Sequence, residues 1–596
     1  MPVSPVANAD GVVRVTVTVN GTALADTVRL ISVTIHRAVN AVPYARLVMA
    51  DGDIAEGDFP LSAGDQFKPG VEIKISAGYE DSETDLFTGI VVRHGIEVKG
   101  ENDARLLVEC RDKAVKMTIG RKHANYVDKK DSDIFSTLAG NAGLSIDATA
   151  TTVTYKELVQ YACTDWDFML SRAEVNGQLV VVKDGAVTVA PPDTASAPDL
   201  KVTYGTDLIE FQADMDARTQ LSSVATVAWD SATGAIVQGT AANPATLNAQ
   251  GDLTSATLAQ ATSPAVVTLR STAAIPSAAL TQWAKARQVK AGLARIRGRM
   301  RFQGNAKAEP GKMIEVAGVG SRFNGKVFVT GVQHEMAEGN WVTEAVFGLA
   351  PDWFVERPDV TEPPAASWMP AVTGLQIGVV KKLDADPQGW HRIQVSTPVA
   401  QHETDGVWAR LLQFHASNAF GAFFLPEVGD EVLLGYLNGD PSNPIVLGSL
   451  YSAKNAPPYT LAAENNTKAI VTRAKMKIEF DDDKKVITIT TPGNNKMVFS
   501  DTDKSIVIQD QNSNKIELNS SGITLDSPKD IKITAKGGIT LDAVNAISIT
   551  SKADVKASGL NVNCDAQVGF VAKGAASAEL SASGQTTVKG AMVMIN

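Results

Sequence analysis

Seven histidines are the first residues to test for chemistry: His36, His94, His123, His334, His391, His402 and His415. No two stand four apart around a glutamate, the spacing by which one helical face offers zinc two imidazoles and a general base. His334 lies beside Glu335, an acid/base couple by composition. Neighbours on a strand point to opposite faces, so His334 reads as a packed or surface histidine. The three cysteines, Cys110, Cys163 and Cys564, are widely spaced and form no CxxC pair. That argues against a disulfide framework or a zinc site and fits folding in a reducing compartment. Gly318-Val319-Gly320 lacks the strand–turn–helix setting of a dinucleotide loop, and no GxSxG elbow or P-loop occurs. Asp481-Asp482-Asp483-Lys484-Lys485 and Asp501-Thr502-Asp503-Lys504 have the composition of calcium loops but neither the ligand spacing nor the closing glutamate, and they read as solvated turns. Asp51, Asp53, Glu56 and Asp58 read as a solvated loop surface. The expectation is a chain with no catalytic, cofactor-binding or metal-binding residues.

At 596 residues and 44% hydrophobic content the chain is long enough for three or four domains with ordinary cores. A formal charge of -11 makes it a poor polyanion binder, so nucleic acid is not expected as a partner. The start, Met1-Pro2-Val3-Ser4-Pro5, has no basic segment followed by an apolar one, and no run reaches the roughly 20 apolar residues of a membrane span. Synthesis in the cytoplasm without a signal peptide is expected.

One feature organises the rest. Apolar doublets return every eight residues at Ile523/Leu525, Ile531/Ile533, Ile539/Leu541, Ile547/Ile549 and Val555/Ala557. The phase then slips by one residue and resumes at Val562, Phe570, Ala578, Thr586 and Met594, with Gly538, Gly574, Ser583 and Gly584 in the turns. Alternation within each unit marks a short strand, and the fixed period marks a solenoid. Eight residues supply one strand and one turn, too little for a full coil of a single-chain β-helix. Three chains that each supply one face would give every octad neighbours and bring its apolar doublet to a common axis. The reading is an intertwined homotrimeric β-helix needle over 462–596, with Ile523, Leu525, Ile531, Ile533, Ile539, Leu541, Ile547 and Ile549 in its core. About fourteen such units from Met476 onward would make a rod roughly 65 Å long.

The chain before the needle is mainly β. Val13 to Val19 alternates strictly into the hairpin signal Asn20-Gly21, and strands follow at Val33–Ile35, Ala45–Met49, Val71–Ile75, Phe87–Val92 and Ala104–Cys110. Helices are expected at Ser132–Gly143 and Asp165–Val175, the second with Thr164 and Asp167 in a capping arrangement and Gly177 past its end. A hairpin turns at Asp184-Gly185 between Leu179–Val182 and Ala186–Val189. The Ala-, Thr-, Ser- and Asn-rich stretch Ser231–Thr268 reads as a long loop or weakly specified excursion. A helix at Ser277–Leu293 leads to strands at Lys312–Val316 and Lys326–Val332. Prolines 358, 363, 364 and 370 mark a stiff linker. Short strands at Gly374–Val380, Arg392–Val395, Gly406–Arg410, Phe423–Leu425, Glu431–Leu437 and Ile445–Gly448 suggest a small OB-type barrel. Its lack of aromatics interleaved with Lys/Arg, and the acids Asp430, Glu431 and Asp440, favour a structural barrel with Trp408 in its core. The domains are thus a hub (1–357) of two β-barrel-like subdomains, the linker (358–370), an OB-fold barrel (371–458) and the needle (462–596).

Val159-Gln160-Tyr161 with Asp165-Trp166-Asp167-Phe168, then Gly318 to Gly325 and Gly331-Val332-Gln333-His334-Glu335, resemble the hub of the VgrG spike family. That family comprises the hub and spike proteins of contractile phage tails, type VI secretion and extracellular contractile injection particles. The likeness is strongest in the barrel, at Trp408-Ala409-Arg410, Pro426 to Val432, Gly439-Asp440-Pro441, Pro444 and Gly448. It implies a non-enzymatic homotrimer whose hub ring meets the inner tube and baseplate proteins, and whose needle crosses a target membrane when the sheath contracts. Between Pro458 and Met476 there is no room for the lysozyme domain of some phage spikes, and no toxin follows the needle, so an effector would be a separate polypeptide. A compact chain of this kind fits an extracellular injection particle. No histidine follows His415 to build the metal tip of phage spikes. The apolar end Met592-Val593-Met594-Ile595-Asn596 is expected instead to dock a separate PAAR-type tip protein.

Two other function classes compete with this one. A secreted β-solenoid enzyme, such as a polysaccharide lyase or cell-wall hydrolase, needs a groove on one chain, and an octad is too short to coil one. A receptor-binding fibre predicts a ligand-binding head at the distal end, where this chain has bare repeats.

Overall fold

The computed structural model describes residues 2–7, 11–80, 82–100, 103–398 and 405–595. Met1, His402 and Asn596, named above, lie outside the described residues. Strands make up 39% and helices 12%, so the fold is mainly β. The chain divides into two compact units, residues 1–450 and 451–596.

The first unit is built on a thirteen-stranded sheet. Gly325–Ala337 pairs with Leu30–Ala38 and so joins the two halves of the sheet. One half uses Val13–Val19, Leu30–Ala38, Tyr44–Ala50, Glu72–Tyr79, Ser82–Lys99 and Asp103–Arg111, and it packs around Ile35, Leu47, Ile75, Phe87 and Leu106. The other uses Leu208–Met215, Ile296–Gln303, Met313–Ala317, Gly325–Ala337 and Asn340–Phe347 around Met300, Phe302, Ile314, Val329 and Phe347. Strict alternation puts one residue in two into each core: Val33, Ile35 and Arg37 are buried while their neighbours are half-exposed. Asn20 and Gly21 both adopt positive φ, as the first hairpin's tight turn requires.

A small α/β layer follows. Helices Asp131–Asn141 and Asp165–Val175 cover the sheet of Leu179–Lys183, Ala186–Ala190 and Ser145–Ala148, enclosing Phe135, Leu138, Met169, Val180 and Val187. Thr164 accepts a hydrogen bond from the Asp167 amide at 3.0 Å and caps the second helix. Arg172 grips Asp131 in a buried fork, with Nε to Oδ1 at 2.7 Å and Nη2 to Oδ2 at 3.0 Å, which locks the two helices together.

The stretch 231–268 is more ordered than its composition suggests. Val224–Asp230 lies between Ala235–Gln238 and Val267–Ser271, and Thr254 caps a helix over Ser255–Thr262. Ala242, Ala259 and Ala284 are buried there. Small side chains let backbone segments approach closely against the helix Ser277–Leu293, so the low-complexity composition encodes tight packing rather than loose structure. Residues 358–370 are likewise held: the Glu362 amide donates to the Ala162 carbonyl at 3.0 Å, and Val360 and Ala365 are buried.

Five strands, Gln376–Lys382, Ile393–Ser396, Val407–Leu411, Glu431–Tyr436 and Pro444–Ser449, close a barrel around Val380, Val395, Ala409, Val432, Leu434 and Val446. Two expectations are corrected. Trp408 is half-buried on the outer face, because Val407, Ala409 and Leu411 take the inward positions. Phe423–Leu425 is not a strand but part of a loop over 412–430, with Phe423 exposed. Gly429 and Gly439 take positive φ in the two turns that flank the fourth strand.

In the second unit, seven strands form an antiparallel meander: Thr467–Val471, Lys477–Asp481, Val486–Thr490, Lys496–Ser500, Ser505–Gln509, Lys515–Asn519 and Gly522–Asp526. This corrects the reading of octads from Met476 onward. Up to Asp526 the repeat is a two-stranded hairpin unit nineteen residues long. The five-residue loops Thr472–Met476, Thr491–Asn495 and Asp510–Asn514 each close with the same pair of backbone hydrogen bonds, and Lys475, Asn494 and Ser513 hold the same left-handed conformation. Loops of four and five residues let a strand return beside its predecessor, which an octad turn does not. Beyond Asp526 the chain runs as extended segments broken by bends at 528, 536, 544, 552, 559, 567, 575, 583 and 591. The single step of seven, from 552 to 559, is the slip in the apolar phase.

Candidate functional site

Several of the candidate residues are held in packing, ion-pair or turn contacts. His334 is fully buried in the first unit, with Nδ1 3.0 Å from Thr343 Oγ1 and 3.4 Å from Trp341 Nε1. Burial, with Arg37 nearby, pulls its pKa down to about 3, so the ring is neutral. Glu335 points the other way and pairs with Arg301. Asp51 departs from the expected solvated loop: it is buried and accepts from the Leu61 and Ser62 amides at 3.0 and 2.8 Å, capping a short helix. Asp481 and Asp503 close hairpin turns, through the Lys484 amide at 3.0 Å and Ser500 Oγ at 2.9 Å. Among the described residues no group of three or more His, Cys, Asp or Glu could hold a metal ion.

The surface that stands out is apolar and belongs to the second unit. Hairpin register carries Phe480, Ile487, Phe499, Ile506, Leu518 and Ile523 into one column across the meander. Ile470, Ile478, Ile489, Met497, Ile508, Ile516 and Leu525 form a second column beside it. Both lie on one face. The opposite face carries Lys477 with Glu479 and Lys515 with Glu517 as ion pairs two residues apart. Among the described residues of this unit nothing covers the apolar face, and Ile478, Phe480, Ile489, Phe499, Ile508 and Ile516 are all exposed. Strands before Ile523 were missed as part of this surface because their period differs from the octad's. Their signal is a motif repeated at nineteen residues: Lys477-Ile478-Glu479-Phe480, Lys496-Met497-Val498-Phe499 and Lys515-Ile516-Glu517-Leu518.

The octad residues continue the pattern. Ile523 and Leu525 end the two columns. Ile531, Ile533, Ile539, Leu541, Ile547 and Ile549 fall on the extended segments between bends, and every one of them is exposed. Among the described residues, 527–595 enter no strand ladder. Extended backbone without a ladder leaves its amide and carbonyl groups to seek partners elsewhere. At the far end Met592, Val593, Met594 and Ile595 are exposed as well.

Three comparisons bear on this arrangement. The Alg8 N-terminal domain family matches residues 9–338, the type VI secretion system/phage-baseplate injector OB domain matches 376–451, and the phage baseplate V C-terminal trimerisation domain matches 486–540. The last of these takes in both the hairpin repeat and the first octads. Among curated relatives, the actin cross-linking toxin VgrG1 of Vibrio cholerae is 34% identical over 111 residues, 17% of this chain and 10% of that protein. The type VI secretion system spike protein VgrG3 of the same species is 34% identical over 113 residues, 17% of this chain and 11% of that protein. The aligned stretch thus spans about a tenth of those relatives. A 43 kDa tail protein of prophage MuSo2 from Shewanella oneidensis superimposes with 10% identity over 57% of this chain and 99% of its own, at a TM-score of 0.42. With one family matched over more than half of this chain and the baseplate OB and trimerisation domains following in order, the chain belongs to the Alg8 N-terminal domain family and is similar to VgrG-type spikes.

Proposed function

We propose that the chain is the non-enzymatic, homotrimeric spike of a contractile injection system, with its hub meeting inner tube and baseplate proteins and its needle driven through a target membrane. The observation that carries this reading is the uncovered apolar face of the meander, continued by octads that form no ladder within one chain. Two further copies supply what both parts lack. Three meanders close a prism with the columns inside, and three interleaved octad chains give each extended segment neighbours above and below. The match to a baseplate trimerisation domain over 486–540 supports the number three.

A rod made this way suits force transmission. Many backbone hydrogen bonds are loaded together, and fraying of one strand is opposed by strands of the other chains. Its outward residues, such as Lys532, Thr540, Ser548 and Lys556, are polar. The exposed apolar end at Met592–Ile595 is assigned to a separate PAAR-type tip protein, and effector cargo to a separate polypeptide. The reading is tested in cells that make the whole apparatus, with Ile549→Asp as the chain's only change. Particles without a spike, or no particles, are expected. Normally assembled particles that still deliver cargo contradict it.

A further inference from the structure

The barrel carries an apolar surface of its own. Between its third and fourth strands, Leu412, Phe414, Phe420, Phe423, Phe424 and Val428 are all exposed, Phe414 and Phe423 by 87% and 83%. This loop has a built shape. Ala416 and Gly421 form a bridge, the Ala422 amide donates to the His415 carbonyl at 2.8 Å, the Ser417 amide to Phe420 at 3.0 Å, and Gln413 Nε2 to the Phe424 carbonyl at 2.8 Å. Gly421 sits at φ +139°, where a Cβ would come 2.6 Å from the His415 carbonyl oxygen, so the tight return depends on glycine. The barrel core is filled without these phenyl rings. They are held outward by an ordered backbone, as an interface residue is.

We propose that this loop is a homotypic contact, packing against the same loop of the other two copies around the three-fold axis; the inference rests on the trimeric reading above. Charge identifies the occupant. From Leu411 to Pro426 the sequence holds no Asp, Glu, Lys or Arg, in a chain that is 20% charged. Across a symmetry axis every charge faces its own copies, so a homotypic patch excludes charge. A different protein could be met with complementary charges, and a membrane or polyanion would select Lys or Arg beside the rings. Tethering adds to this. Residues 450–466 alone connect the last barrel strand to the first needle strand, so needle assembly holds three barrels at high local concentration and lets weak apolar contacts close.

The test uses the full chain with Ser417→Cys and Cys564→Ala, since Ala557 and Ala572 fill the equivalent octad position. Cys110 and Cys163 are buried and stay unlabelled. Pyrene maleimide is attached to the new thiol, and excimer emission and light-scattering mass are read on one sample. A trimer mass with an excimer band is expected, the band being lost while the mass stays trimeric when Phe420→Ser and Phe423→Ser are added. A trimer without an excimer band overturns the loop contact and leaves the needle reading standing, and a band that survives both serines overturns the role of the phenylalanines. A monomer mass overturns the trimer and this inference with it.

Discussion

Ile508 stands directly opposite Ile516 on the fifth and sixth strands of the seven-stranded meander, and each keeps 39% of its surface exposed. Their neighbours along the same column, Met497 and Leu525, continue the row rather than cover it. A sheet that orders its apolar side chains in register and leaves them bare is half of an interface. In the proposed trimer, side-chain burial in this unit is completed by the other chains, whereas residues 1–450 carry filled cores of their own.

Replacing Ile533 or Ile549 with Asp separates the lone chain from the assembly. The two side chains are 69% and 71% exposed in one chain, so a monomer tolerates the carboxylate at little cost. In the trimer three carboxylates are buried together, at several kcal/mol each. Loss of the trimer is expected in light scattering, while Lys532→Asp, on the outward side, leaves it intact.

The nineteen-residue hairpin unit predicts which deletions the needle accepts. Removing 496–514 joins Asn495 to Lys515 and keeps every loop in phase. A folded trimer about 10 Å shorter is expected in electron micrographs, two strand spacings at about 4.8 Å each. Removing only 496–505 reverses strand direction and is expected to abolish the trimer.

Cys564 lies five residues past the bend at 559, as Ile533, Leu541 and Ile549 lie five past the bends at 528, 536 and 544. It is exposed in one chain. The proposed register points it at the axis of the assembly, so its thiol should resist a water-soluble disulfide reagent until urea opens the needle, and oxidation should link two chains of the three. Fast labelling of the native protein contradicts the octad register.

His334 predicts a pH dependence for the hub. Its folded pKa, about 3, lies below the ordinary histidine value of 6.5, so the unfolded chain takes up the proton first. Stability is therefore full above about pH 6.5 and falls by about 1.4 kcal/mol per pH unit as acid is added down to the folded value. His334→Gln, which can keep the bond to Thr343, should flatten that slope when hub urea midpoints are compared at pH 7 and pH 5.

Much of this was legible because the signals are local. The hairpin turns at Asn20-Gly21 and Asp184-Gly185 and the helices Asp165–Val175 and Ser277–Leu293 follow from turn chemistry, capping and periodicity. What was not legible depends on partners distant in sequence. The Ala-rich stretch after Ser231 is ordered by packing on Ser277–Leu293, and the outward placement of Trp408 follows only once Ala409 is seen in the barrel core. The hairpin repeat is masked by its longer period, since a unit of nineteen residues does not fall in phase with the octads that follow it. Phe423 and Phe424 read as strand because their sequence is apolar, and the glycine-dependent return at Gly421 turns them to the surface instead.

The central claim is that the uncovered columns and unladdered octads are completed by two more copies of the same chain. Its most direct test is the solution mass of the purified full-length protein by light scattering. The account predicts three times the 62.9 kDa chain mass, persisting on dilution. A stable, folded monomer that keeps its apolar columns in water contradicts it.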